Sequence, residues 1–167
     1  MSKLLRITSL VAMLCAALPA AQAATQQFSG SLDSGHYAGQ IFSGLFSYND
    51  SAVANTGEFF QELDSFSMNF LGRAWTLSEA ISTAEASFLD GVFLGVSYSA
   101  DGVNIGFSFI PGFDSLRQAA LAYDTPLGFS GAGTVVYAPV PEPTSSSMLL
   151  AGLGLLGVLA SRRMRVW

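Results

Sequence analysis

The single histidine, His36, follows Asp33, Ser34 and Gly35. A carboxylate, a hydroxyl and an imidazole are the parts of a nucleophilic triad, but here they fall within one turn, and no Gly-x-Ser-x-Gly elbow occurs in the chain. Triads are assembled from separate segments, so His36 reads as a loop residue. Oxygen-rich loops at Asp33, Asn49-Asp50 and Asp101-Gly102-Val103-Asn104 offer ligands to a hard cation such as calcium. None follows the spaced ligand ladder of a calcium loop, and each stands where Asp and Asn form turns. Two carboxylates flanking a sugar bond hydrolyse it, and Asp64 with Glu79 is such a candidate pair. Trp75 lies two residues from Arg73 and shares its strand face, which is the makings of a sugar-stacking platform. The heavy average burial of tryptophan favours a core position instead. No catalytic residue, metal ligand or cofactor site follows from these residues.

The elements holding them belong to an exported chain. Lys3 and Arg6 precede an apolar segment, Ile7 to Leu18, and Ala21-Gln22-Ala23 has the small residues a signal peptidase accepts. Residues 1–23 therefore read as a signal peptide, leaving Ala24 as the mature N-terminus. Cys15 is preceded by Leu14, which does not suit lipidation, and it departs with the signal. The body, residues 24–139, then has no thiol for a disulfide or a nucleophile, and with one histidine it has too few nitrogen and sulfur ligands for tetrahedral zinc. Its eleven carboxylates face two arginines, Arg73 and Arg117, for a net charge of −9. Such a surface excludes nucleic acid and anionic lipid as partners.

Hydrophobic patterning predicts an all-β body. Ser65-Phe66-Ser67-Met68-Asn69-Phe70 alternates polar and apolar residues, the period of a strand with one buried face. Leu71-Gly72-Arg73 breaks that run, and Ala74 to Leu77 returns as its partner. Asp90-Gly91 between apolar runs specifies a type I′ hairpin, and Asp101-Gly102 reads as the same device before a strand from Val103 to Ile110. Further strands are predicted near residues 26–32, 40–48, 119–123 and 131–137, with helical turns at most near 77–83 and 114–120. About eight or nine short strands favour an antiparallel β-sandwich or a flattened barrel. With no lysine in the mature body, its edge strands would lack their usual guard against pairing with other chains.

The last 28 residues have a different organisation. Val140, Pro141, Glu142, Pro143 and Thr144 are followed by a serine spacer, 145–147, and by an apolar run from Met148 to Ala160. Thirteen residues make only about 20 Å of helix against a hydrocarbon core of ~30 Å, so the run, extended to residue 161, is a short transmembrane helix at best. Arg162, Arg163 and Arg165 in the basic end, 162–167, would hold it with its C-terminus in the cytoplasm. This order of motif, spacer, apolar run and basic end resembles the PEP-CTERM sorting signal of Gram-negative bacteria. The resemblance implies recognition by an exosortase, a membrane-embedded processing protease. It also implies a passing stay in the inner membrane and delivery to the cell surface or extracellular matrix, with exopolysaccharide as a candidate partner. The expectation is an exported, non-enzymatic surface or matrix protein. A small glycan-active enzyme using paired carboxylates and a calcium-dependent adhesion module are the alternatives.

Overall fold

The segments 65–70 and 106–109 alternate a large apolar residue with a small or polar one, and the residue types between the strands set where they turn. A computed structural model describes residues 23–140, together with Gly152 and Gly154, which are helical. Ala21, Pro141, Glu142, Pro143, Arg162, Arg163 and Arg165 lie outside the described residues, as do the predicted signal peptide up to residue 22 and most of the apolar run. No helix among the described residues is long and apolar enough to cross a membrane.

The strands are β1 (Ala23–Leu32), β2 (Ile41–Asn49), β3 (Glu58–Phe70), β4 (Arg73–Thr76), β5 (Glu85–Leu89), β6 (Val92–Asp101), β7 (Gly106–Ile110), β8 (Ala120–Asp124) and β9 (Ser130–Pro139). All pairings between them are antiparallel. Their order is β2-β1-β9-β8-β7-β6-β5-β3-β4, and a β2–β3 pairing closes the sheet into an eight-stranded barrel with β4 as an extra strand. Closure answers the edge problem posed by the missing lysines, since a closed sheet leaves few unpaired backbone groups. β4 pairs with the upper half of β3, and beyond it Ala80 bridges to Ala100 of β6.

The interior is packed with aromatic side chains. Phe28 on β1 lies 5.5 Å from Phe66 on β3 and 5.1 Å from Phe109 on β7, measured between ring centroids, so one side chain reaches across the barrel. Tyr98 stacks on Phe66 at 3.9 Å, and Trp75 meets Phe107 edge-on at 4.8 Å. Serine, threonine, glutamine and asparagine take most outward positions of β1, β2 and the upper half of β3, with Ile41 and Leu45 as the apolar exceptions. A bilayer-spanning barrel needs the reverse, with apolar residues outside.

Two glycines make room for these rings. Phe28 pairs with Gly44 across β1 and β2, and Gly30 pairs with Phe42. A Cβ on Gly44 would strike the Phe28 ring and the Ser67 carbonyl oxygen, and one on Gly30 would strike the Phe42 ring and the Thr134 carbonyl oxygen. Each phenylalanine thus covers the bare backbone of the opposite strand, and the reciprocal arrangement fixes the register of the pair.

Asp90 and Gly91 have φ of 51° and 77°, as a type I′ turn requires. The Asp90 carboxylate also accepts the Gly57 N–H at 2.8 Å. The second Asp-Gly differs from expectation. Asp101 still belongs to β6 and pairs with Gly106, so residues 102–105 form a four-residue loop closed by Gly102 N–H to the Ile105 carbonyl at 2.9 Å. The strand begins at Gly106 instead of Val103 because Ile105 turns inward, 7 % exposed, while Val103 points out, 87 % exposed. β3 is longer than its alternating stretch suggests. A bulge sets Tyr48 opposite Leu63 but Ser47 opposite Ser65, leaving Asp64 unpaired with β2. The extra residue switches the inward positions from Leu63 to Phe66, Met68 and Phe70, and so breaks the period seen in the sequence.

Replacing Gly44 with alanine is expected to destabilise the barrel by ~1–3 kcal/mol, as overpacking does. Replacing the exposed Ser43 beside it should cost less than about 0.5 kcal/mol. Urea unfolding of the two variants checks the difference.

Candidate functional site

Several of the residues singled out for chemistry are held in structural roles. The Asp33 carboxylate accepts from the Thr134 N–H at 2.9 Å and the Ser31 hydroxyl at 3.5 Å. His36 stacks on Phe129, 4.6 Å between centroids, and no hydrogen bond joins it to Asp33 among the described residues. Asn49 caps a 3-10 turn, its side-chain oxygen accepting from Ser51 N–H at 3.1 Å. No group of three or more His, Cys, Asp or Glu converges on a metal-sized space among the described residues.

Arg73, Trp75 and Glu79 do come together. The spacing of Arg73 and Trp75 on β4 puts both on one face, and the guanidinium carbon sits 3.9 Å from the indole ring centre. Trp75 is 1 % exposed, so it is a core residue roofed by arginine instead of an open stacking platform. Arg73 Nη2 forms an ion pair with Glu79 Oε1. The other oxygen of Glu79 accepts the Thr76 N–H at 2.9 Å, closing a capping box over the turn at Leu77–Glu79. The Thr76 N–H first, and the Arg73 guanidinium second, hold the Glu79 carboxyl below the usual carboxylate range. Asp64 takes no part in this cluster.

Behind it, Tyr98 donates to the Thr76 carbonyl at 2.8 Å. Burial, reinforced by the Glu79 charge, pushes the Tyr98 phenol up from 10.0 to about 12. Burial also raises Tyr137, whose hydroxyl oxygen accepts the Val96 N–H at 3.2 Å.

A groove runs along the outside of the sheet and, at one side, up to Tyr37, Gln40 and the loops at 71–72 and 102–105. Two adjoining depressions, of about 1130 and 480 Å³, share Ser29, Ser43, Asn69, Trp75 and Val136 in their walls. Strand register explains why. Val136 pairs with Ser29, Ser29 with Ser43, Ser43 with Asn69, and Asn69 with Ala74. These five exposed residues make one row running across β9, β1, β2, β3 and β4, perpendicular to the strands. Four of them are short. The row above carries Ile41, 76 % exposed, and the row below carries Gln27 and Leu45, so the short row forms a floor between taller flanks. No carboxylate lines either depression, and Arg73 brings the one charge. The recurring serines of the sequence are the visible signal of this floor, but only the register reveals that they align.

The C-terminal end of the barrel has its own geometry. The Val140 N–H donates to the Thr25 carbonyl at 3.1 Å, carrying the β1–β9 ladder one rung past Pro139. β1 begins at Ala23, opposite Asn49, so both ends of the described chain leave from the same end of the barrel. Loops 33–40, 71–72, 102–105 and 125–129 crown the opposite end. Residues 139–163 match the family model described as PEP-CTERM protein-sorting motif. No curated protein and no solved structure matches the chain.

The raised Tyr98 phenol gives a pH dependence with a definite sign. A folded phenol that resists ionisation, set against an unfolded one that ionises near 10, leaves stability full below pH about 10 and erodes it as pH rises toward about 12. Thermal melts across that range should show the decline. Tyr98→Phe should flatten it partly while losing ~0.5–1.5 kcal/mol at neutral pH with the bond to Thr76.

Proposed function

The chain carries a PEP-CTERM protein-sorting motif at residues 139–163, and from that premise we propose an exported, non-enzymatic barrel displayed at the cell surface or in the extracellular matrix. The motif implies export and exosortase processing. Its position on the fold is the observation that carries the rest. The match begins at Pro139, the last residue of β9, and Val140 is still hydrogen-bonded to β1. No linker separates the barrel from the tag. A membrane-held tail therefore seats the barrel end-on at the inner membrane, with the loops at 33–40, 71–72, 102–105 and 125–129 turned away from it. The short apolar run, Met148 to Ala160, suits a passing stay better than a permanent anchor. The arginines that follow it keep the C-terminus in the cytoplasm until processing.

The non-enzymatic reading draws on the same geometry. Both oxygens of Glu79 are engaged by Arg73 and Thr76, and the Asp33 and Asp90 carboxylates are spent on backbone N–H groups. The exopolysaccharide partner rests on the implied destination and on a groove lined by no carboxylate.

Changing Pro141, Glu142 and Pro143 together to alanine is expected to leave export and barrel folding intact while trapping the protein in the inner membrane. Cell fractionation checks it. If the triple variant reaches the medium at wild-type length and amount, the motif acts as a plain linker and the proposal falls.

A further inference from the structure

We propose that the groove crossing β9, β1, β2, β3 and β4 binds a neutral, linear glycan laid perpendicular to the strands. The proposal rests on the surface or matrix reading and names the class of partner that the groove takes.

The floor supplies the first argument. Ser29, Ser43 and Asn69 stand side by side in one row, followed outward by Ser67 and Thr76 in the next. Hydroxyls and an amide can each donate and accept, which suits a ligand that does the same along its length. The row spans four strand spacings of ~4.8 Å, roughly 19 Å in all, and a linear pyranose chain advances by about one strand spacing per sugar. The floor and the chain therefore share a repeat.

Backbone chemistry disfavours a peptide. Across the floor β1 and β2 are paired on both sides, and β3 runs between β2 and β4. An added strand needs an open edge of unpaired N–H and C=O groups, and a chain crossing the strands at right angles would find none. A polyol needs only the side chains.

Charge selects a neutral glycan over an acidic one. Residues 24–139 carry −9 with only Arg73 and Arg117 as cations. Arg73, at the β4 end of the groove, is already paired with Glu79 and laid over Trp75. A polyanion would gain one engaged cation and meet the repulsion of the whole domain. The aliphatic flanks, Ile41 at 76 % exposed and Leu45 at 47 %, with Val136 at the β9 end of the floor at 64 %, fit the apolar C–H faces of sugar rings.

The test uses the released form of the protein purified from culture medium, titrated with cellohexaose, maltohexaose and laminarihexaose as neutral probes, followed by backbone amide NMR shifts. At least one hexamer is expected to bind. Affinity should rise from the dimer to the hexamer as the floor fills, and the shifts should centre on Ser29, Ser43 and Asn69. Ser43→Phe, which fills the floor at an exposed position, should weaken binding at least about tenfold. Ser82→Phe, on an exposed connection outside the groove, should leave it unchanged. No binding by any of the three hexamers at millimolar concentration overturns the proposal. So does binding unaltered by Ser43→Phe, or binding of a hexagalacturonate in preference to the neutral probes. A dimer that Ser43→Phe dissociates would make the groove a self-association face and overturn it equally. Failure of every probe with release intact leaves the sorting reading standing, whereas retention in the membrane bears on sorting alone.

Discussion

The structure depends on one packing constraint, the filling of a closed eight-stranded barrel by rings that need glycine opposite them. An eight-stranded barrel has an interior only wide enough for side chains. Phe28 contacts Phe46, Phe66, Phe109 and Tyr137, which come from four other strands. That reach is possible because Gly44 leaves the space beneath its ring. A slip of β2 by one residue against β1 would turn Phe42 and Phe46 outward and Ser43 and Ser47 inward. The register that buries the rings therefore also lines up Ser29, Ser43 and Asn69 on the outside, and core and groove are two faces of one constraint.

Much of this was legible along the chain, and the limits have physical causes. Alternation from Ser65 to Phe70 marked the upper half of β3, and Asp90-Gly91 marked the tight hairpin. The lower half of β3 was hidden because the bulge at Asp64 shifts the apolar residues by one position, so a single strand carries two opposite phases. Asp101-Gly102 misled because the dipeptide alone does not show whether the aspartate ends a strand or starts a turn. Closure itself was not legible: alternation gives every strand one buried face, and sandwich and barrel satisfy it equally. The Arg73–Trp75 contact follows from a two-residue spacing on a strand. The floor of the groove requires cross-strand register, which residues far apart in sequence do not disclose.

Charge ties the fold to the sorting tail. The body is acidic and nearly without cations, while the last residues of the chain, 162–165, gather three arginines. The acidic body gains nothing by contact with an anionic membrane surface, so on the proposed reading processing would remove the tail that holds it there. The absence of a linker sharpens this. Because β9 runs into the motif at Val140, an enzyme acting at Pro141 to Pro143 works against the barrel end that also holds Ala23 and Ala24. Proline at both 141 and 143 disfavours helix in the residue before each.

The most direct test of the central claim, that a folded barrel is cut free at its last strand, is the intact mass of the protein released from cells. The mass is expected to correspond to a chain beginning at Ala24 and ending between Val140 and Thr144, with the barrel whole. A released form still ending at Trp167 would contradict it.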